Sequence, residues 1–558
     1  MQPTIPASEN RAWFAHYNPG TPRDIDPERY DSVVDYIDQC LKKFGDNPAF
    51  VNMGKHITFS DLDTKSRQFA AYLQSIGLKQ GDRIALQMPN VLAYPVILFG
   101  ALRAGLIIVN TNPLYTEREM KHQFKDSGAK AIVILSNFAD KLANVIGDTD
   151  IKHVVVVRIG DLLGMVKGNV VNFVIKNIKK MEPSYSIPGA VRFPKALKAG
   201  ASKTFTKPTI KRDDPGFLQY TGGTTGVSKG ATLSHKNIVA NMLQIRAWID
   251  TSLEEGKETV ITALPLYHIF AFTVNCLAML GYGAKNILIT NPRDIPGFVK
   301  ELSKHPYTLL TGVNTLFNAL VNNKDFAKSD FSNLKLVVGG GMAVVPAVND
   351  RWKGITGLPI VEGYGLSETS PVLCVNPVDG RDQIGTIGLP ISSTDICVMD
   401  DDGNQLPAGE VGEICARGHQ VMLGYWERPD ETEKVFFGEW FRTGDIGKMN
   451  EDGFFQIVDR KKDMILVSGF NVYPNEVEAV AMEHEGVLEC AAIGVPHPKS
   501  NEVVKLFVVK KDDALTAEDL IAFCRKELAG YKVPKHVEFR EELPKTNVGK
   551  ILRKDLRE

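Results

Sequence analysis

A stretch of eleven residues, YTGGTTGVSKG at positions 220–230, combines the chemical groups that bind a polyphosphate. Its glycines let the main chain approach a ligand closely and present its N–H groups. Its hydroxyls and its lysine add side-chain donors and a positive charge. The residues concerned are Thr221, Gly222, Gly223, Thr224, Thr225, Gly226, Ser228, Lys229 and Gly230. The spacing differs from that of a Walker A loop. A flexible surface loop is the alternative, and the density of phosphate-binding groups disfavours it.

Other groups suited to a nucleotide follow further along the chain. In EGYGLSE, residues 362–368, Tyr364 offers a flat ring for a base, and Glu368 offers the hard oxygen ligand that Mg²⁺ prefers. Several small residues nearby leave room for a flat ligand, and they are Gly340, Gly341, Gly363, Gly365 and Ser367. The alternatives are an ordinary acid at a helix start for Glu368 and a simple turn for the glycines.

Five segments resemble, in this order, the motifs of the adenylate-forming superfamily, which includes acyl-CoA synthetases, firefly luciferases and peptide-synthetase adenylation domains. They are YTGGTTGVSKG (220–230), EGYGLSE (362–368), WFRTGD (440–445), VDRKKDMILVSGFNVYPNEVE (458–478) and PKTNVGKI (544–551). The resemblance covers nearly the whole chain and is strongest to bacterial long-chain fatty-acid–CoA ligases. It implies an AMP-forming acid–thiol ligase that converts ATP, a fatty acid and CoA into acyl-CoA, AMP and diphosphate through an acyl-adenylate.

The resemblance also implies roles for single residues. Asp445 would accept hydrogen bonds from the ribose hydroxyls, since a carboxylate is a double acceptor, and Arg460 would reach the same ribose and phosphate region. Lys550 would contact the acid and the α-phosphate and stabilise charge that grows in the transition state. Thr221 would share the Mg²⁺ ion with Glu368. Without the resemblance, Asp445 is a turn aspartate, and Arg460 and Lys550 are solvated cations.

A change in composition predicts two domains, residues 1–460, with a β-rich part at about 380–460, and residues 461–558. The resemblance implies that the first is the N-terminal adenylating domain and the second a mobile C-terminal domain. Lys550 would obstruct the CoA thiol in the second half-reaction. The resemblance therefore implies that the C-terminal domain rotates about a hinge at Lys462. Gly469 would then leave room for the thiol in a CoA channel. The alternative for 467–474 is a plain loop that leads into a helix.

PLYHIFAF, residues 265–272, resembles the aromatic-rich segment that lines the acid pocket in this family. His268 is then a wall or orienting residue, and a packed histidine is the alternative. A general base is disfavoured because a carboxylate nucleophile has no proton to remove. Phe272 stands where long-chain relatives place an aromatic gate, commonly Trp, to an acyl tunnel. The apolar stretch 271–283 suits either a tunnel wall or ordinary core, so the chain-length preference stays open.

Short apolar runs alternate with helical patterns over the first two thirds of the chain. DRIALQM (82–88), GLIIVN (105–110), KAIVIL (130–135) and HVVVV (153–157) predict buried strands. This alternation predicts an α/β fold of parallel sheets with flanking helices. After residue 380, turn residues predict hairpins. The last hundred residues predict a small α+β unit, with a helix that begins at the N-cap Thr516 and ends with Gly530 at C′.

Composition and the N-terminal sequence indicate which binding partners and which cellular location to expect. The formal net charge of −1 over 558 residues gives no sign of nucleic-acid binding. The seven cysteines form no CxxC pair, which is typical of a reducing compartment. The N-terminal residues lack the pattern of a secretory signal, and no apolar run is long enough to span a membrane. We therefore expect a cytoplasmic protein, with peripheral attachment to the inner face of the membrane and a homodimer as open options.

Residues 164–183, GMVKGNVVNFVIKNIKKMEP, are the candidate for membrane contact. They place apolar residues beside the lysines Lys167, Lys176, Lys179 and Lys180. A basic amphipathic helix is able to lie on an anionic membrane surface. The simpler interpretation, which we favour from sequence alone, is a helix packed on its own domain with a solvated lysine edge.

Three rival functions share the scaffold or its ligands. They are an adenylation domain that serves a carrier protein, a luciferase-like oxygenase, and an acyl- or nucleotide-binding sensor without catalysis. A sensor is expected to lack Lys550 or Glu368, and both are present.

Overall fold

The computed structural model describes residues 11–221, 228–468, 470–498, 500–546 and 549–557. The first of its four sheets has eight strands. Their order across the sheet is Gly424–Tyr425, Lys229–Ser234, Pro215–Thr221, Ile107–Asn110, Arg83–Gln87, Ala131–Leu135, His153–Val157 and Val191–Arg192. The last six run parallel. Because these strands are buried on both faces, their sequences are continuous apolar runs, and the predicted α/β fold is confirmed.

The second sheet has nine strands. Their order is Leu389–Pro390, Val372–Val375, Val361–Gly365, Leu336–Gly340, Leu309–Gly312, Thr259–Thr262, Lys285–Leu288, Pro48–Asn52 and Lys55–Thr58. Leu336–Gly340 and Val361–Gly365 are parallel neighbours, with Gly340 opposite Gly363. Parallel neighbours end at the same edge of a sheet, where ligands bind in open α/β sheets. The register therefore brings the glycine triplet 339–341 beside the EGYGLSE motif.

The third sheet is antiparallel and confirms the predicted hairpins. Four strands follow one another in the order Thr394–Met399, Gly412–Gly418, Trp440–Met449 and Phe436–Phe437, and Phe455–Arg460 pairs with Trp440–Met449. This last pairing sets Asp445 directly opposite Arg460. Two candidate ribose ligands are thus brought together by strand register alone.

The fourth sheet belongs to the C-terminal part of the chain. Its order is Phe470–Val472, Ile465–Val467, Asn501–Lys510 and Val487–His497, and His536–Phe539 pairs parallel with Asn501–Lys510. It has its own apolar core, which includes Val472, Val477, Leu506 and Leu520. The proposed domain boundary after residue 460 falls between the last strand of the third sheet and the first strand of the fourth.

Helices cover the faces of these sheets. The α-helices are Val33–Phe44, Phe59–Ser75, Ala93–Arg103, Glu117–Ser127, Ala139–Val145, Met165–Phe173, Phe193–Ala201, His235–Ile249, Met279–Gly281, Ile295–Leu302, Asn314–Val321, Pro346–Thr356, Pro429–Glu433, Pro474–Met482 and Ala517–Glu527. Two π-helical segments are Val174–Ile178 and Ala271–Ala278, and the 3₁₀ turns are Ala12–His16, Ser136–Phe138, Ile146–Asp148, Phe326–Lys328, Ser367–Thr369 and Arg553–Leu556. In the described ranges, no helix has both the length and the hydropathy needed to cross a membrane.

The last long helix tests both predicted ends. Thr516 caps the helix as predicted, and its Oγ1 accepts the N–H of Asp519 at 3.2 Å. The prediction for Gly530 is wrong, because the helix ends at Glu527 and Leu528 adopts an extended conformation. The Leu528 side chain is buried in the C-terminal core. Apolar burial therefore ends this helix before the glycine.

The helix at 165–178 also differs from the prediction. We favoured an apolar face packed on its own domain, but Val166 is 77% exposed, Val170 is 57% exposed and Phe173 is 60% exposed. The buried residue of the α-helical part is Gly168, and Val171 packs against the core from a partly buried position. Only a narrow inner stripe holds this helix, and its larger side chains point to solvent.

A close helix–helix approach makes a stability prediction. A Cβ atom at Gly200 would lie 1.8 Å from the carbonyl oxygen of Gln68 in the neighbouring helix. Gly200→Ala is therefore expected to lower the free energy of unfolding by about 2–3 kcal/mol. Gly354 is also helical, but a Cβ atom added there would have no neighbouring atom within 4 Å, so Gly354→Ala is a matched control that should be neutral or slightly stabilising. Urea unfolding measures both. Equal midpoints for the two variants would refute the tight contact.

Candidate active site

A cavity of about 2110 Å³ opens where the large sheets, the third sheet and the C-terminal domain meet. All but one of the predicted site residues within the described ranges line it: Thr221, Lys229, His268, Gly340, Gly341, Gly363, Tyr364, Gly365, Ser367, Glu368, Asp445, Arg460, Lys462 and Lys550. The exception is Phe272. Predicted residues Gly222, Gly223, Thr224, Thr225, Gly226 and Gly469 lie outside the described residues.

Two neighbouring side chains hold the carboxyl group of Asp445 in this cavity. Arg460 Nε lies 3.1 Å from Asp445 Oδ1, and the hydroxyl of Tyr364 donates to Asp445 Oδ2 at 2.6 Å. Asp445 itself is buried. The Asp445 carboxylate raises the pKa of Arg460 above its usual value. Burial, together with Asp445, raises the pKa of Tyr364 well above its usual value. The Asp445 carboxyl group is therefore held in one orientation, and Tyr364 stays protonated.

Lys550 comes to this site from the end of the chain. A Cβ atom at Gly341 would lie 3.3 Å from Cε and 3.9 Å from Nζ of Lys550. Only a glycine at 341, where φ is +80°, leaves this room. The preceding residue anchors the turn, because Thr315 Oγ1 donates to the carbonyl oxygen of Gly549 at 3.2 Å. The C-terminal domain thus covers the glycine triplet with a lysine.

Arg460, Lys462 and Lys550 are three of the cations that line the cavity. Burial, followed by the charge of Arg460, lowers the pKa of Lys550 to about 8. The same two causes lower the pKa of Lys462. Asp445 and Glu368 act in the opposite direction on Lys550. Burial and the repulsion from Arg460 therefore outweigh the attraction of these two carboxylates for the Lys550 ammonium. A bound anion would complete the balance.

Glu368 lies in the 3₁₀ turn Ser367–Thr369 and is 8% exposed. The hydroxyl of Tyr425 donates to its Oε1 at 2.9 Å, and its carbonyl oxygen accepts the N–H of Met422 at 2.8 Å. One carboxylate oxygen is thus held by a hydrogen bond, and Glu368 is among the residues that line the cavity. A single carboxylate beside the hydroxyl of Thr221 fits Mg²⁺, which takes few protein ligands and completes its shell with water and substrate phosphates.

Lys229, at the end of the phosphate loop, already has partners. Its Nζ lies 2.7 Å from Oε2 of Glu431 and 4.6 Å from the ring centroid of Tyr425. Lys229, with Lys434, lowers the pKa of Glu431 to about 2. Thr221 stands opposite Lys229 in the strand pair that carries the loop. The strand ends therefore fix both ends of the phosphate loop at the cavity.

Of the two residues predicted for the acid pocket, His268 lines the cavity and Phe272 does not. His268 lines the cavity, and burial, followed by the charge of Lys550, lowers its pKa to about 3. A histidine that stays neutral at pH 7 is a wall residue and not a source of charge. Phe272 is fully buried, with its ring centroid 4.8 Å from that of Phe217, and is absent from the cavity lining among the described residues. Apolar wall residues are instead Ile245, Trp248, Ile249, Val274, Leu336 and Val338.

Two site residues escaped the sequence analysis as functional groups. Tyr425 reaches Glu368 from 57 residues away, and no local pattern marks it. Glu362 lies in the EGYGLSE motif and lines the cavity. Burial raises its pKa to about 8, although the N–H of Val344 hydrogen-bonds to it. A buried carboxyl of this kind is detectable only once its surroundings are known.

Comparison with known proteins agrees with this geometry. The family model described as AMP-binding enzyme matches residues 37–426, and the model for the C-terminal domain of AMP-binding enzymes matches residues 476–550. The chain belongs to the AMP-binding enzyme family, the adenylate-forming superfamily that its motifs resemble.

Individual relatives are similar over almost the entire chain. A long-chain-fatty-acid–CoA ligase of Escherichia coli O6:H1 is 57% identical over 98% of both chains. One of Bacillus subtilis is 37% identical over 98% of both. Among solved structures, an anthranilate CoA ligase in complex with anthranoyl-AMP has a TM-score of 0.85 and 26% identity, and covers 96% of this chain and 98% of its own. ATP-bound MatB from Rhodopseudomonas palustris has a TM-score of 0.80 and 28% identity, covering 94% and 98%.

The contact between Tyr425 and Glu368 makes a prediction. Tyr425→Phe removes the donor that orients the carboxylate, so the Mg²⁺ concentration for half-maximal adenylation is expected to rise about tenfold. Tyr282→Phe is the matched control, because Tyr282 also donates to a carboxylate, that of Asp250 at 2.7 Å, and lies outside the cavity lining described above. A Mg²⁺ titration of diphosphate release compares the variants. An unchanged Mg²⁺ requirement with a lowered melting temperature would reduce Tyr425 to a structural role.

Proposed function

We propose that this chain is a long-chain fatty-acid–CoA ligase that feeds fatty-acid degradation or lipid synthesis. It joins a fatty acid to CoA with ATP and forms acyl-CoA, AMP and diphosphate through an acyl-adenylate. The proposal is carried by the meeting of Lys550 with Gly341, Asp445 and Arg460 in one cavity. Curated relatives with this activity in their names support it over nearly the whole chain.

In the first half-reaction, a carboxylate oxygen forms a bond to the α-phosphorus of ATP while the bond to diphosphate breaks. Both reactants are anions, so the site has to offset their repulsion and align them. We assign this work to Arg460, Lys462 and Lys550. Asp445 accepts from the ribose hydroxyls, since Tyr364 and Arg460 already fix its orientation. The ring of Tyr364 and the edge at Gly340 and Gly363 receive the adenine.

Glu368 and Thr221 are the residues that would hold Mg²⁺. When bound, this ion neutralises phosphate charge and orients the phosphates. Tyr425 keeps the Glu368 carboxylate in one orientation. Lys229 would exchange Glu431 for a phosphate when ATP arrives, because a phosphate is the stronger and more highly charged acceptor. Glu431 thus holds the lysine in place beforehand.

The second half-reaction attacks the acyl-adenylate with the CoA thiol, and AMP leaves. Lys550 and its turn occupy the cavity, so we propose that the C-terminal domain turns about Lys462, which lies between the third and fourth sheets. Its contacts with helix Asn314–Val321 are polar and include Thr315 to Gly549 and Asn318 to Leu488, at 3.2 and 3.3 Å. Such contacts break at low cost in water. Gly469 would then meet the thiol.

The apolar part of the cavity is the proposed acyl site. Ile245, Trp248 and Ile249 come from one helix and Val274 from the π-helical segment. His268 lines the same cavity and is close enough to Lys550 for the lysine's charge to lower its pKa after burial, so we place the acid's carboxylate beside these two residues. Phe272 is not part of this wall, so a gate at that position is not included in the proposal.

We also propose a peripheral location at the membrane, because the exposed face of the 165–178 helix combines apolar residues with lysines. A homodimer stays a prediction.

A substrate series tests the proposed function. Acids from acetate to oleate are supplied with ATP, with and without CoA, and AMP production is measured. We expect CoA-dependent AMP release that is strongest with long-chain acids, because only these fill the apolar part of the cavity. Release with amino acids alone, or AMP formation that is indifferent to CoA, would contradict the proposal.

Lys550→Ala separates the two half-reactions. Loss of the ammonium is expected to slow adenylation by roughly a hundredfold or more, whereas thioester formation from supplied acyl-adenylate should remain largely intact. Diphosphate release and acyl-CoA formation measure the two steps. Lys535 is an exposed lysine of the same domain, so Lys535→Ala is the control and should leave both steps unchanged. Equal damage to both steps in a folded Lys550→Ala protein would refute the division of roles.

A further inference from the structure

One part of the described surface carries a group of exposed apolar side chains. Six large apolar side chains between positions 165 and 181 are each more than half exposed: Met165, Val166, Val170, Phe173, Ile178 and Met181. We call these six residues the 165–181 face. Monomeric proteins expose single apolar residues widely, but contiguous sets of this kind mark interaction surfaces.

The inner side of the same helix is tightly anchored. Gly160 and Gly168 touch backbone to backbone, because a Cβ atom at either would lie within 2.4 Å of the other's carbonyl oxygen. Asn172 Oδ1 accepts the N–H of Gly160 at 2.9 Å, and Val171 packs against the core. The helix is therefore held in one orientation. Its outward apolar residues are a fixed feature of the domain surface.

Charge distinguishes this face from an ordinary apolar patch. Lys176, Lys179 and Lys180 are exposed beside it, and residues 162–181 contain no acidic residue. The acids at either end are already paired inward: Asp161 with Arg192 at 3.3 Å and Glu182 with Arg158 at 2.8 Å. The edge of the face thus carries uncompensated positive charge.

We propose that the 165–181 face docks on a membrane surface that contains anionic lipid. The apolar residues would enter the boundary between headgroups and acyl chains, and the lysines would meet lipid phosphates. A second copy of the chain is a poorer occupant, because a symmetric contact would bring the lysines of both copies together. The inference rests on the proposed peripheral location and assigns it to particular residues.

Vesicle binding by the full-length protein tests this assignment. Vesicles are of phosphatidylcholine alone or of phosphatidylcholine with phosphatidylglycerol, and sedimentation gives the partition coefficient. The triple variant Val166→Gln, Val170→Gln and Phe173→Gln is expected to lose at least about tenfold of its binding to anionic vesicles. Each lysine near an anionic surface strengthens binding about fivefold. The triple variant Lys176→Gln, Lys179→Gln and Lys180→Gln should therefore lose binding to anionic vesicles and become insensitive to salt.

Matched controls change the same chemistry elsewhere. Ile384 is 53% exposed, so Ile384→Gln controls for the loss of a surface apolar residue. Exposed lysines outside the face control for the loss of positive charge when changed together to Gln, and they are Lys152, Lys324 and Lys353. Both controls should bind vesicles as the wild type does. Ligase activity with a soluble medium-chain acid, measured without vesicles, should be unchanged in every variant.

The possible results distinguish membrane binding by the 165–181 face from the proposed peripheral location and the proposed ligase function. If the wild type and both triple variants bind anionic vesicles equally, the 165–181 face is not the docking site, but the proposed peripheral location still holds. A wild type that ignores anionic vesicles would overturn both. A wild-type dimer that the apolar triple variant converts to a monomer, with vesicle binding unchanged, would give the face to a second copy of the chain. A wild-type protein without ligase activity would contradict the proposed enzymatic function. The vesicle-binding assay would still test the membrane proposal, because it does not depend on that activity.

Discussion

The repulsion between two anions is the constraint on which the rest of this structure depends. An acid and a nucleotide phosphate come together only where positive charge is concentrated and water is displaced. The cavity brings Arg460, Lys462 and Lys550 together, and burial, followed by the charge of Arg460, lowers the pKa of both lysines. The carboxylates of Asp445 and Glu368 partly offset the repulsion among these cations. Each is oriented by a tyrosine hydroxyl, Tyr364 for Asp445 and Tyr425 for Glu368.

The fold explains why these groups meet. Parallel strands end together, which sets Gly340 beside Gly363. An antiparallel hairpin sets Asp445 opposite Arg460. The C-terminal domain adds Lys550 from a tail that is anchored through Gly549 and Thr315. Three separate pieces of the chain thus contribute to one charge cluster, and the relation between the two domains decides whether that cluster is complete.

The parallel strands and many of the site residues were predictable, because short sequence patterns indicate them. Buried parallel strands are continuous apolar runs, and Ala131–Leu135 and His153–Val157 follow that rule. The resemblance of ordered motifs placed Lys550 and Asp445 in one site, which hydrophobic periodicity alone does not do. Contacts between distant segments were not predictable in the same way. Tyr425 and Glu368, the packing of Phe272 on Phe217, and the early helix end at Leu528 all depend on which surfaces the fold buries.

The 165–181 segment shows the same limit in another form. A stripe of Val, Phe and Ile along a helix is equally suited to core and to an exposed interaction surface, so periodicity does not decide between them. The deciding contact is between Gly160 and Gly168, which turns the side without bulky groups inward. The sequence shows lysines and apolar residues in one segment. Only the tertiary structure shows that the apolar side chains are exposed to solvent, as the lysines are.

The charge cluster also links chemistry to domain motion. Before reaction, the anions of ATP and the acid balance Arg460, Lys462 and Lys550. When diphosphate leaves, most of that negative charge leaves with it, while the three cations remain. Burial and, after it, the charge of Arg460 lower the pKa of Lys550, and Lys462 acts in the same direction, so we expect the repulsion of its ammonium to strengthen at this moment. Lys550 belongs to the C-terminal domain, and the neighbouring Gly549 accepts a hydrogen bond from Thr315 at 3.2 Å. We therefore expect the departure of diphosphate to favour the proposed rotation of the C-terminal domain, which would admit the thiol.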